Sequence, residues 1–120
     1  MTIQTRTAHV LSAGTLTNDD VRNRAGEDLG KIEEIMLDVD RGRIAYAVLS
    51  FGGFLGMGDK LFAVPWAALE VDEENECLVL NISRDVLEDA PGFDKANWPQ
   101  MDLSWGAGIY RHYGFDPYWV

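Results

Sequence analysis

From Leu29 to Val39 the sequence LGKIEEIMLDV sets apolar residues among charged ones. In its second half Ile35, Leu37 and Val39 alternate with Met36, Asp38 and Asp40, the period of a half-buried strand. Asp40-Arg41-Gly42 reads as a turn, and RIAYAVLSF resumes as an apolar, β-prone strand, so the two runs predict a hairpin. After a glycine-rich stretch KLFAV reads as a short strand. Pro65 ends that ladder because its φ is fixed and it has no N–H to donate. PWAAL suits a single helical or 3₁₀ turn. Leu69 and Val71 open another strand, DEENE makes an acidic turn, and CLVLNI returns antiparallel as a second hairpin. Upstream, residues 16–21 predict a short strand, and NRAGEDLG a turn with Gly26 and Gly30. SRDVLEDA predicts a short helix, with Ser83 as N-cap and Pro91-Gly92 as its stop.

Five or six short strands followed by a short helix predict a mostly β fold. A small antiparallel barrel suits that order, since closure removes exposed strand edges. Residues 1–13 are polar without a sustained period and read as an N-terminal arm. Residues 14–91 form the barrel domain with its short helix. Residues 92–120 are an extension with little obvious regular structure, holding eight of the thirteen aromatic residues. Disordered tails are poor in aromatics. This extension is therefore expected to dock, on its own barrel or on a sister subunit.

Charge narrows the partners. Twenty Asp and Glu against ten Lys and Arg give a net charge of −10, which repels phosphate backbones and anionic lipid heads. The bases are scattered, so no direct nucleic-acid contact is expected. No stretch approaches the ~20 apolar residues that cross a bilayer, and the N-terminus has no apolar run of signal-peptide type. With Cys77 as its one cysteine the chain suits a reducing compartment, and the expectation is a cytoplasmic protein.

The stretch FGGFLGMGDKLFAVPW raises the question of a phosphate-cradling loop. A Walker loop needs GxxxxGK[ST]. Counted from Gly53, Gly58 is followed by Asp59 before Lys60, with Leu61 where the hydroxyl should be. A dinucleotide fingerprint from Gly56 also fails at Leu61, and no long helix follows. The loop reads as a bent connection that seats the KLFAV strand, with Phe54, Leu55 and Met57 as an apolar cluster.

Other chemical candidates are thin. His112 lies near Arg111 and Asp116, but only His9 and Cys77 could join it as further His or Cys ligands. Cys77 directly follows Glu76, which disfavours a thiolate. Asp38 with Asp40, and Asp72, Glu73, Glu74 and Glu76, sit at hairpin turns and do not match a calcium loop. No catalytic residue, cofactor or metal is expected.

Several motifs together carry a resemblance. They are Gly26 with Gly30-Lys31-Ile32, the turn Asp40-x-Gly42-Arg43-Ile44, Ser50 through Gly56, and Val64-Pro65-Trp66. Over about residues 14–82 the chain resembles the PRC-barrel domain. That domain occurs in the cytoplasmic part of the photosynthetic reaction-centre H subunit and in the C-terminal half of the ribosome-maturation factor RimM. The resemblance implies a scaffold without catalytic residues, of the stand-alone bacterial kind. The expected function is a non-enzymatic protein-interaction module that self-associates, with a homodimer as the first expectation. The alternative is a ribosome-maturation or RNA-processing accessory acting through ribosomal-protein contact. The expected contact surface holds Phe54, Leu55 and Met57 with Trp98, Trp105, Tyr110, Tyr113, Phe115, Tyr118 and Trp119, because aromatics anchor interfaces.

Overall fold

A computed structural model of the chain describes residues 10–52 and 59–119. Both sequence-predicted hairpins form. The first joins β2 (Asp28–Asp38) to β3 (Arg43–Gly52), and the second joins β5 (Leu69–Asp72) to β6 (Cys77–Leu80). Between them lie β4 (Asp59–Pro65) and a 3₁₀ turn at Trp66–Ala68, where Pro65 was expected to stop the ladder. The SRDVLEDA helix is α2 (Arg84–Glu88), and Ser83 Oγ accepts from the Val86 N–H at 3.2 Å. The expected strand over 16–21 resolves into a capped turn of helix, α1 (Ala13–Leu16), and the strand β1 (Asp20–Arg22).

The predicted small antiparallel barrel does not form. Among the described residues seven strands make one open sheet in the order β5-β6-β1-β2-β3-β4-β7, and β1 pairs with β6 in parallel. Two local causes are visible. The 3₁₀ turn after Pro65 takes the chain away from β4, so β5 pairs with β6 at the far end of the sheet. The free edge of β4 is taken by β7 (Phe93–Asp94), where Leu61 faces Phe93.

The inner face of the sheet carries the larger core. Val21, Leu29, Ile32, Leu49, Phe62, Val64, Leu78 and Leu80 meet there, with Leu16 of α1 and Leu87 of α2 packed on them. Two register shifts bend β2 around this core. A third irregularity, where β2 pairs with β1, falls at Gly30: its φ is +99°, and a Cβ there would lie 2.1 Å from the Ser50 carbonyl oxygen.

The outer face is covered too, over part of its area. Residues 45–49 of β3 and 61–65 of β4 are buried at every position, which is what covering both faces of a strand requires. The cover is a helix, α3 (Leu103–His112), in the extension where the sequence predicts little regular structure. Asp102 caps it, its carboxylate accepting from the Trp105 N–H at 2.8 Å. At the other end Gly114 has φ +84°, and the Phe115 and Gly114 N–H groups donate to the Tyr110 and Arg111 carbonyls. That is the Schellman pattern.

Candidate interaction surface

α3 rests on β3 and β4 through an aromatic cluster. Ile109 and Tyr110 are buried against Ala45, Tyr46 and Ala63. The Tyr110 hydroxyl donates to the Ala45 carbonyl at 2.6 Å. The Tyr46 ring is held edge-on between Trp105 at 5.4 Å and Tyr110 at 5.7 Å. Close approach depends on Gly106, where a Cβ would lie 1.9 Å from Tyr46 Oη and 2.9 Å from Trp119. Trp119 and Tyr118 complete the cluster, their rings 5.2 and 5.8 Å from that of Tyr110.

Tyr118 also ties the chain terminus to the β2–β3 turn. Its hydroxyl donates to Asp38 Oδ2 at 2.6 Å, and the Arg43 guanidinium lies 3.7 Å over its ring. The Tyr118 hydrogen bond, assisted by Arg41, holds the Asp38 carboxyl below its usual range against a smaller opposing effect of burial. Burial, then the hydrogen bond to Asp38 and that carboxylate's charge, push the Tyr118 phenol up. Burial raises Tyr46 to about 12 and also raises Tyr110 and Tyr113. The buried Tyr113 hydroxyl has no hydrogen-bond partner among the described residues.

The predicted contact residues therefore divide. Tyr110 is buried, while Trp105, Tyr113, Phe115, Tyr118 and Trp119 are half-buried in the same cluster. All six pack within the chain. Trp98 is 39% exposed and leans on Phe93 with ring centroids 5.1 Å apart. Phe54, Leu55 and Met57 lie outside the described residues. Among the apolar side chains absent from the predicted set, Leu37 at 64%, Val39 at 85% and Leu103 at 55% are more open. The alternation through Ile35, Leu37 and Val39 suggested one buried face. The hairpin tip instead outruns the core, so only Ile35 of the three packs on it. Leu37, Val39 and Leu103 border an open groove of about 400 Å³, with Met36 and Met101 in its walls and Asp38, Asp40 and Asp102 beside them.

The residues considered for chemistry stand apart. His112 is exposed, its ring edge-on to Tyr113 at 5.0 Å. Cys77 is buried, and that burial, with Asp72 nearby, pushes its thiol up. Asp72 accepts from the Asn75 backbone and side chain, and Asp38 from the Arg41 N–H, so both carboxylates organise their own turns. Among the described residues no three His, Cys, Asp or Glu side chains gather as a metal site. No helix among them is long and apolar enough to cross a membrane.

The sequence model of the PRC-barrel domain matches residues 9–87. The chain belongs to the PRC-barrel family. No curated protein matches the sequence as a relative. PRC-barrel domains are a non-catalytic protein-interaction fold, and this member is accordingly a protein-binding, scaffold-type domain and not an enzyme. The matched span ends within α2, so α3 and its aromatic cluster are an addition beyond the PRC region. In this PRC-barrel protein the addition covers the outer face of β3 and β4.

Proposed function

We propose that this PRC-barrel protein is a cytoplasmic scaffold that pairs with a second copy of itself through the β2–β3 tip and the adjoining start of α3. The observation that carries this reading is the group Leu37, Val39 and Leu103, each more than half exposed around one groove. Scattered apolar side chains on a surface are ordinary, whereas several sharing one groove mark a contact site. Of the aromatic residues expected at the contact, Trp98 remains available in this arrangement, and Trp119 and Tyr118 contribute their open edges.

Sedimentation velocity tests the proposal. The wild-type chain is expected to sediment as a dimer at micromolar concentration. The double variant Leu37→Glu, Val39→Glu is expected to sediment as a folded monomer with the wild-type circular-dichroism spectrum, because neither side chain belongs to a core. A monomeric wild-type chain, or a variant that dimerises as well as wild type, would refute it.

A further inference from the structure

At one edge of the sheet lies β5, which among the described residues pairs with β6 alone. An unpaired strand edge is a row of backbone donors and acceptors that another strand can meet. Two grooves border this strand and share Leu11, Leu16 and Val71. The first, about 530 Å³, is apolar: Val10, Ile44 and Trp66 complete its walls, and Val10 is 81% exposed. The second, about 360 Å³, carries Asp19, Asp72, Glu73 and Glu76, and among the described residues no Lys or Arg borders it. Trp66 precedes β5 and Glu73 follows it, so the lining passes from apolar to acidic along the strand. Neither groove shares a residue with the one around Leu37.

We infer that the β5 edge docks an extended segment of another protein, apolar at alternate positions and carrying Lys or Arg at the end that meets the β5–β6 turn. Backbone hydrogen bonds to β5 supply affinity, and the grooves select the alternate side chains. The carboxylates decide the charge of the occupant. Arg22 and Arg24 do not offset them, since they hold Asp20 and Glu70 and line neither groove. A second copy of this chain fits badly. Residues opposite each other across paired strands share a face, so β5 paired with β5 about a two-fold axis sets Glu70 and Asp72 against the same carboxylates of the other copy. Each copy also carries −10. The phosphates of a nucleic acid are repelled for the same reason.

Panning a displayed library of random short peptides on the full chain tests the inference. Enriched peptides should carry Lys or Arg beside alternating β-branched residues. N-methylation of alternate backbone amides in an enriched peptide should abolish binding in one register and spare it in the other, the mark of strand pairing. The edge-facing amides of Leu69–Asp72 should exchange more slowly in the complex. The double variant Asp19→Asn, Glu76→Gln should bind the peptide about tenfold more weakly with an unchanged circular-dichroism spectrum, and added salt should weaken wild-type binding. No enrichment, enriched peptides without a basic residue, binding that survives N-methylation in both registers, or equal binding by the double variant would overturn the inference. So would edge-facing β5 amides as protected in the free chain as in the complex.

Discussion

Gly106 gives the sharpest test of how the C-terminal extension is held. Replacing a helix-interior glycine by alanine normally stabilises by about 1 kcal/mol through backbone entropy. Here the new methyl would sit 1.9 Å from Tyr46 Oη, and Tyr46 cannot swing aside because Trp105 and Tyr110 hold its ring edge-on from two sides. The helix must lift from the sheet, loosening the Tyr110 bond to Ala45 at the same time. Overpacking of this kind costs about 1–3 kcal/mol. With the direct collision at its upper end, Gly106→Ala should be destabilising by about 1–2 kcal/mol net. Gly108 lies one residue beyond Ala107 and has nothing within 4 Å of its would-be Cβ, so Gly108→Ala should stabilise by about 0.5–1 kcal/mol. Urea unfolding followed by circular dichroism measures both, with equal slopes required for the comparison. Tyr46→Phe removes the struck atom, so Gly106→Ala should cost less in that background, a coupling a double-mutant cycle reads directly. The reasoning fails if Gly106→Ala matches Gly108→Ala, or if Tyr46→Phe leaves its cost unchanged.

Four further outcomes are expected. Tyr118→Phe removes the main cause of the lowered Asp38 pKa; because a depressed carboxylate stabilises the fold above its ordinary value of 3.8, the variant should lose stability at neutral pH and converge with wild type as pH falls through that range, checked by urea midpoints across pH. All four tyrosines are raised, Tyr46 to about 12, so stability should be intact below the ordinary value of 10.0 and fall as pH rises beyond it, with phenolate absorbance appearing together with unfolding. Gly30→Ala, which combines φ +99° with a contact 2.1 Å from Ser50 O, should destabilise by about 3 kcal/mol or more, read from the same urea curves. Two copies each carrying −10 repel, so added salt should tighten the proposed dimer, and sedimentation equilibrium at two ionic strengths should show it.

Local signals were legible wherever the sequence states them locally. Asp40-Arg41-Gly42, Pro65 and Ser83 each mark their turn or cap through their own stereochemistry, and the structure shows a hairpin turn, a broken ladder and a helix start there. The helix α3 was hidden because Gly106 and Gly108 lower its intrinsic propensity. Its stability comes from packing, which leaves traces only in spacing: Asp102 before the first turn, Trp105, Ile109 and Tyr113 four apart, then Gly114. The unbroken burial of AYAVL in β3 was a second unread sign, since a strand with one wet face would alternate. That the sheet stays open rather than closing into the expected barrel was not legible for another reason. Where the β5–β6 hairpin joins the sheet depends on β6 pairing with the distant β1, and the turn after Pro65 turns the chain without naming that partner. For the proposed contact surface, aromatic content pointed to residues that pack internally, while the exposed Leu37 and Val39 looked like core residues because their alternation continues past the end of the core.

The parallel pairing of β1 with β6 has a consequence for how the chain acquires its fold. β2, β3 and β4 meet their partners among sequence neighbours, whereas Val21 must find Leu78 from the far end of the PRC region. Pairings between distant segments form late because loop closure precedes any gain. A ribosome delivers β1 early and β6 only after β5 has passed, so one side of β1 waits bare throughout that interval. Three residues of β1 thus act as a clasp that shuts only after β2 to β5 have been made. Until Leu78 and Val79 arrive, the nascent chain carries an unpaired strand edge within reach of its neighbours, a period of aggregation hazard in its synthesis.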